Sequence, residues 1–208
     1  MEPFTLLRSV AVPLDIAKID TGMIVPGRFL RIRRRPGHAD YAQAFLHDLR
    51  FNKENNPEHE FVLNLPAYKD GRILVTGPDF GCGSSRESAA YAVLDYGIRA
   101  LIGTSFGEVF AGNCMQNGIL PVTLPPASVR AIMGQLQASP GSKMGVDLEQ
   151  QLVTGPDGIH YAFEIDETRK ERLIKGQDDI DITLNYQNEI ETFENRSFTS
   201  RPWLPRTN

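Results

Sequence analysis

Apolar and polar positions alternate in two different rhythms along this chain. Residues 9–14 (SVAVPL) form a short apolar run of strand character, and residues 20–27 (DTGMIVPG) read as an irregular turn leading into another extended piece. A mostly polar stretch follows, with the basic loop 31–40 (RIRRRPGHAD), a weakly helical segment at 41–49 and the run NKENNP at 52–57. Excursions of this length in a compact domain are characteristic of binding loops and lids. From residue 72 the rhythm changes to strand and helix in alternation. RILVT at 72–76 is a buried strand by its β-branched content, and Ala89, Ala90, Val93 and Leu94 recur at helical spacing up to Gly97. RALI at 99–102 predicts the next strand. Residues 106–117 predict a helix with Phe106, Val109, Phe110 and Cys114 on one stripe, closed by Gly118, and ILPVTL at 119–124 predicts a third strand. This β-α-β-α-β order implies a parallel sheet core and an α/β class. Ser128 predicts the N-cap of a helix carrying Val129, Ile132, Met133 and Leu136. A hairpin is then expected, running from VDL at 146–148 through the turn GPDG at 155–158 into a return strand on which Ile159, Tyr161, Phe163 and Ile165 alternate. A last helix is expected over residues 167–175, stopping at Gly176. The expected organisation is a single domain over 1–194 and a C-terminal tail over 195–208.

Composition narrows the function classes. With 22 basic against 26 acidic residues the formal charge is -4, so the strongly basic footprint of a nucleic-acid binder is missing and any bound anion must be held locally. No apolar run approaches the roughly 20 residues needed to cross a bilayer, and the start MEPFTLLR lacks the pattern of a signal peptide; a cytoplasmic protein is the expectation. Cys82 and Cys114 are 32 positions apart, which is no metal-clip spacing, and two thiols do not make the usual ligand set of an iron–sulfur cluster. Cys114 reads as a packed thiol.

The densest chemistry lies at residues 79–90, DFGCGSSRESAA. It misses the common anion motifs: Cys82 stands where a Walker loop needs its second glycine, Arg86 where the dinucleotide fingerprint needs its third, and Glu87 where a nucleophile elbow needs glycine. Physically, Gly81 and Gly83 allow a tight turn after a strand, Ser84 or Ser85 is expected at the N-cap of the following helix, and the free N–H groups of that terminus favour an anion. Arg86 in the first turn is unfavourable for the helix dipole and suits a carboxylate ligand. The alternative is a plain surface helix start, with the serines capping and Arg86 paired to Glu87 or Asp79. Spacing alone does not separate the two.

The runs FGCGSSRE (80–87), DYGIRALIGTSFGEVF (95–110), NGILPVTL (117–124) and FVLNLPAY (61–68) closely resemble the small subunits of 3-isopropylmalate dehydratase and are similar to the swivelling domain of aconitase. The resemblance extends from VPLDIAKIDT at 12–21 to DLEQQLV at 147–153. It implies an aconitase-type swivelling fold, three-layer β/β/α with a partly parallel sheet. It also implies a hydro-lyase subunit that interconverts 2-isopropylmalate and 3-isopropylmalate by dehydration and rehydration. Carried over residue by residue, Ser84 becomes the catalytic base and Ser85 and Arg86 bind substrate carboxylate. One arginine of the loop at 33–41, with Arg35 as the candidate, is implied to reach a second carboxylate, against the alternative of a solvated basic loop. The cofactor implied is a [4Fe-4S] cluster on a large partner subunit, in a heterodimer or heterotetramer, with none held by this chain. His38, His47, His59 and His160 are expected in solvated loops or strands, His38 alone being a candidate lid contact.

Two departures lie near the corner. The family usually reads Asp-Thr-Asp where this chain has Asp20, Thr21 and Gly22, and commonly has histidine where this chain has Ser88. They keep open a paralogous hydro-lyase acting on a related 2-hydroxy dicarboxylate, of citramalate, dimethylmalate or homoaconitate type. An organic-anion-binding module without catalysis is the alternative from another class.

Overall fold

The computed structural model describes residues 1–35, 37–201 and 203. Seven strands form one mixed sheet in the order β4-β3-β2-β1-β5-β6-β7: β1 (Leu6–Leu14), β2 (Ile73–Thr76), β3 (Ala100–Gly103), β4 (Leu120–Thr123), β5 (Lys143–Asp147), β6 (Leu152–Thr154) and β7 (His160–Ala162). The first four are parallel neighbours, and β1 hands over to an antiparallel half through β5. The partly parallel sheet expected from the sequence is therefore present. The handover is visible in the register: residues 6–10 of β1 pair with β5 and residues 11–14 with β2. Pro13, which cannot donate to a ladder, lies beyond the last β5 pairing, and Pro121 sits in the edge strand β4.

Helices cover both faces of the parallel half, which is why β2 and β3 are buried at every position and read as unbroken apolar runs. Val12, Leu14, Leu74 and Leu101 point to one face. There they join Ala89, Ala90 and Val93 of α3 (Glu87–Asp95) and Phe110 and Cys114 of α4 (Glu108–Gln116). The intervening residues Ala11, Ile73, Val75, Ala100 and Ile102 point to the other face and meet Val129, Ile132, Met133 and Leu136 of α5 (Pro126–Ala138) and Leu173 of α6 (Glu167–Lys175). The excursion between β1 and β2 contains α1 (Thr21–Ile24), α2 (His47–Arg50) and short 3-10 turns at 27–29, 42–44, 62–64 and 66–68. It packs on the α3 side through Phe45, Leu46, Leu63 and Tyr68.

Several local expectations change. Residues 20–27 hold helix α1, capped by Asp20 accepting from the Met23 amide at 2.8 Å, where an irregular turn leading into an extended piece was expected. α5 begins at Pro126 rather than after Ser128, because proline suits a first helical turn that needs no donor. Val109 is exposed, so the buried stripe of α4 runs at strict fourfold spacing through Phe110 and Cys114 with Phe106 packed before it. The turn at 155–158 joins β6 to β7, so its partner strand is β6 rather than β5. Gln151, at φ +55°, reverses the chain between β5 and β6 and has no glycine to advertise it. α6 is as expected, ending at Gly176 with φ +67°.

The chain divides into two compact units, residues 1–176 and 177–208. In the second, α7 (Asp179–Leu184) and α8 (Gln187–Ser200) are consecutive helices, and α8 continues across residues 194 and 195. No helix among the described residues is long and apolar enough to cross a membrane.

Candidate functional site

Beyond the carboxyl ends of β1, β2 and β3 the three chain segments continue side by side, held by single backbone contacts. Gly77 N–H donates to the Leu14 carbonyl (3.0 Å), Lys18 N–H to Pro78 (2.8 Å), Gly81 N–H to Ile19 (2.7 Å) and Thr21 N–H to Cys82 (3.0 Å). On the other flank Gly107 N–H donates to the Phe80 carbonyl at 3.0 Å, and the Ser105 hydroxyl donates to Asp79 at 2.7 Å while accepting from its amide at 2.9 Å. The carboxyl end of a parallel sheet is the usual place for a ligand in such folds. The segment 77–84 is the middle of these three.

Glycine is required by crowding at two of its points. A Cβ on Gly81 would lie 2.1 Å from the Phe110 ring, and one on Gly107 would lie 2.1 Å from the Gly81 carbonyl oxygen. Gly81 (φ +77°) and Gly83 (φ +90°) also adopt the left-handed backbone that side-chain-bearing residues avoid. The turn delivers Ser84 and Ser85 to the surface, both exposed, with Arg86 half-buried behind them. Neither serine caps α3. The N-cap position belongs to Arg86, one residue beyond Ser85, in extended backbone (φ -135°, ψ 103°) and with no side-chain capping bond. Glu87 supplies the negative charge in the first turn that the helix dipole favours.

Arg86 does not make the surface pairs that were the alternative. Asp79 is taken by Ser105, and Arg86 forms no ion pair among the described residues; its one hydrogen bond runs from Nη1 to the Val25 carbonyl at 3.3 Å. A guanidinium with no carboxylate in ion-pair contact among the described residues thus follows two exposed serines in the chain. Thr21, buried on α1, reaches the same turn: its hydroxyl donates to the Ser84 carbonyl oxygen at 2.7 Å and its Oγ1 lies 3.4 Å from Ser84 Oγ. Gly22 follows, with room that a Cβ would use up to within 3.1 Å of Asp20 Oδ1 and 3.3 Å of Arg86 Nη1. Sequence reasoning singled out the Asp-Thr-Gly triplet as a departure but assigned Thr21 nothing, since 63 residues separate it from Ser84.

Arg35 is engaged within its own loop. Its guanidinium pairs with Asp40 inside its own loop at 2.6 Å, and this partner holds the Asp40 carboxyl below the usual range. The arginine of this run that reaches α3 is Arg34, stacked 4.0 Å over the Tyr91 ring and 3.6 Å from Asp95. His38 and His59 are exposed, and exposed His160 meets Thr154 at 3.1 Å. His47 departs from the expected solvated position: its ring lies 4.9 Å from that of Phe29 and 4.8 Å from that of Phe51, and Arg28 contacts its Nδ1 at 2.9 Å. Cys114 is fully buried, which pushes its thiol well above the ordinary range, and Cys82 is half-buried within the corner. Among the described residues no group of three or more His, Cys, Asp or Glu side chains converges as a metal site.

A family model described as the aconitase C-terminal domain matches residues 1–127, and one described as LeuD_N matches residues 130–167. The 3-isopropylmalate dehydratase small subunit of Cereibacter sphaeroides (strain KD131) is 44% identical over 204 residues, covering 98% of this chain and all of the relative. Those of Agrobacterium fabrum and Phenylobacterium zucineum are 42% and 44% identical, covering 98% of this chain and 100% and 98% of their own lengths. The crystal structure of 3-isopropylmalate dehydratase (leuD) from Methanocaldococcus jannaschii superposes with a TM-score of 0.62 at 21% identity, covering 91% of this chain and 99% of that one, and speaks for the fold.

Proposed function

This chain belongs to the family of 3-isopropylmalate dehydratase small subunits, and from that premise we propose that its corner at residues 79–86 carries the proton-transfer half of the reaction. The protein is a hydro-lyase subunit that acts with a large subunit. The reaction assigned here is the interconversion of 2-isopropylmalate and 3-isopropylmalate, by loss of water across two neighbouring carbons and its return in the opposite sense. Ser84 takes the proton from the carbon next to the one bearing hydroxyl, and gives it back on rehydration. Arg86 binds a substrate carboxylate in bidentate fashion, and the Ser85 hydroxyl orients it.

A serine hydroxyl is too weak an acid to serve as base in water, so its ionised form must be stabilised by its surroundings. The start of the nine-residue helix α3 and the Arg86 guanidinium, which forms no ion pair among the described residues, lie within three positions of Ser84 in sequence and supply positive potential there. The single observation that carries the reading is that half-buried Arg86 forms no ion pair among the described residues while directly following two exposed serines in the chain. The large-subunit partner, the [4Fe-4S] cluster assigned to it, and a cytoplasmic location belong to the same proposal; this chain's described residues offer no ligand set for a cluster, and no step of its own chemistry runs through one.

The test is to purify the chain with its large subunit and follow 2-isopropylmalate turnover. Ser84→Ala is expected to lower kcat by about 10³-fold or more, the scale of a lost general base, while leaving the melting temperature in place because the side chain is exposed. Full turnover by that variant would sink the assignment.

A further inference from the structure

Helix α1 touches the corner at both of its ends. Its C-cap residue Val25 accepts from Arg86 Nη1, and its first residue, Thr21, meets Ser84. The Thr21 backbone is fixed by its own N–H bond to the Cys82 carbonyl and by the amide of Val25 donating to its carbonyl at 3.0 Å, so the hydroxyl has little freedom to move. A threonine hydroxyl has one proton and two lone pairs. The Ser84 carbonyl oxygen, 2.7 Å away, can only accept, so the Thr21 proton is directed there. Its lone pairs then face the Ser84 hydroxyl at 3.4 Å, a long contact in which Ser84 is the donor.

We propose that Thr21 is a positioning residue for Ser84, with a hydroxyl that changes roles as Ser84 changes charge. This rests on the reading of Ser84 as the base. While Ser84 is protonated, Thr21 accepts its O–H and holds the side chain on the turn. When Ser84 loses that proton to solvent, the Thr21 O–H turns from the carbonyl oxygen to the alkoxide. As substrate C–H gives its proton to Ser84 Oγ, the electron pair of that bond stays on the substrate carbon and the Thr21 proton returns to the carbonyl. No covalent bond of Thr21 forms or breaks. The hydroxyl thus supplies a donor to the ionised state that costs nothing in the resting state, where its proton is already satisfied. Gly22 belongs to the same arrangement, since a Cβ there would crowd both Asp20 and the Arg86 guanidinium.

The test compares Thr21→Val, Thr21→Ser and Ser84→Ala, each assembled with the large subunit, by kcat and KM for 2-isopropylmalate across pH. Valine keeps the shape and removes the hydroxyl. It is expected to lower kcat about tenfold, below the usual cost of losing an oxyanion donor because the contact is long, with KM changed less than about twofold. Its rising limb of kcat against pH should also move to higher pH, and serine at 21 should recover most of the lost rate and the original pH profile. A merely structural threonine would move KM or melting temperature and leave the pH profile where it was; that result, or wild-type rates with valine, overturns the proposal. Should the valine chain fail to assemble, Thr21→Cys, whose thiol bonds weakly, takes its place with the same readouts. Ser84→Ala separates the two levels: turnover retained there defeats the base assignment itself, whereas turnover lost there and kept in Thr21→Val defeats only the role of Thr21.

Discussion

Single residues in this protein have their chemistry set by what encloses them. Cys114 and Cys82 have the same thiol, yet one is sealed between α4 and the sheet and the other lies half-open in the corner. Burial raises the Cys114 pKa well above its ordinary 9.0, because a thiolate there would be stripped of water. A raised acid pKa means the folded chain keeps a proton that the unfolded chain releases. The contribution is fully present below about pH 9.0 and is lost as pH rises past it, by about 1.4 kcal/mol per pH unit for one proton. Urea midpoints measured from pH 8 to pH 10.5 should fall more steeply for the native chain than for Cys114→Ala, whatever that variant costs at neutral pH; parallel slopes would rule the account out. Ser84 and Arg86 show the reverse case. Their residue types and order were legible in the sequence, but the question of whether Arg86 pairs with Asp79 or stays free was answered by Ser105, which occupies Asp79 from 26 positions away.

At the scale of elements, the start of α3 is where pattern and packing part company. Two serines before an alanine-rich helix are the usual mark of an N-cap, and the structure puts Arg86 there instead. The glycines at 81 and 83 turn the chain so that Ser84 lies against α1 and Ser85 faces outward, leaving extended backbone at 86 as the lead-in. A capping serine is worth about 1 kcal/mol, so Ser85→Ala should cost less than about 0.5 kcal/mol of stability here while weakening substrate binding. Equilibrium unfolding beside a KM measurement checks both halves, and a loss of a full cap's worth would restore the serine cap. α1 is the opposite failure. Asp20 followed by Thr21 and Gly22 looks like a turn, yet four residues of helix form because Asp20 caps Met23 and the Leu46 amide donates to Ile24 from a segment far along the chain. Local propensity for so short a helix is negligible.

For the whole molecule, the governing feature is β1, which serves a parallel neighbour with one half and an antiparallel neighbour with the other. Its length of nine residues makes this sharing feasible, and it joins the two halves into one sheet. Contacts close around residues 1–176, short of the boundary at 194 that composition suggested. A chain ending at Gln177 is accordingly expected to unfold in one cooperative transition with a melting temperature within about 3 °C of the full chain, a shift of under about 1 kcal/mol. Thermal scans of both lengths decide it, and a broad or strongly lowered transition would extend the unit toward α8. By itself the sequence determined the alternation of strand and helix after residue 72, the identity of the parallel core and the cluster of glycines, serines and arginine that forms the corner. These follow from periods of two and 3.6 residues and from backbone rules that act over a few positions. Only the tertiary structure decided that Thr21 meets Ser84, that Arg34 rather than Arg35 reaches α3, and that His47 packs against two aromatic rings. Such contacts join segments up to 63 positions apart, and they depend on how the sheet stacks its strands side by side, which no local pattern encodes.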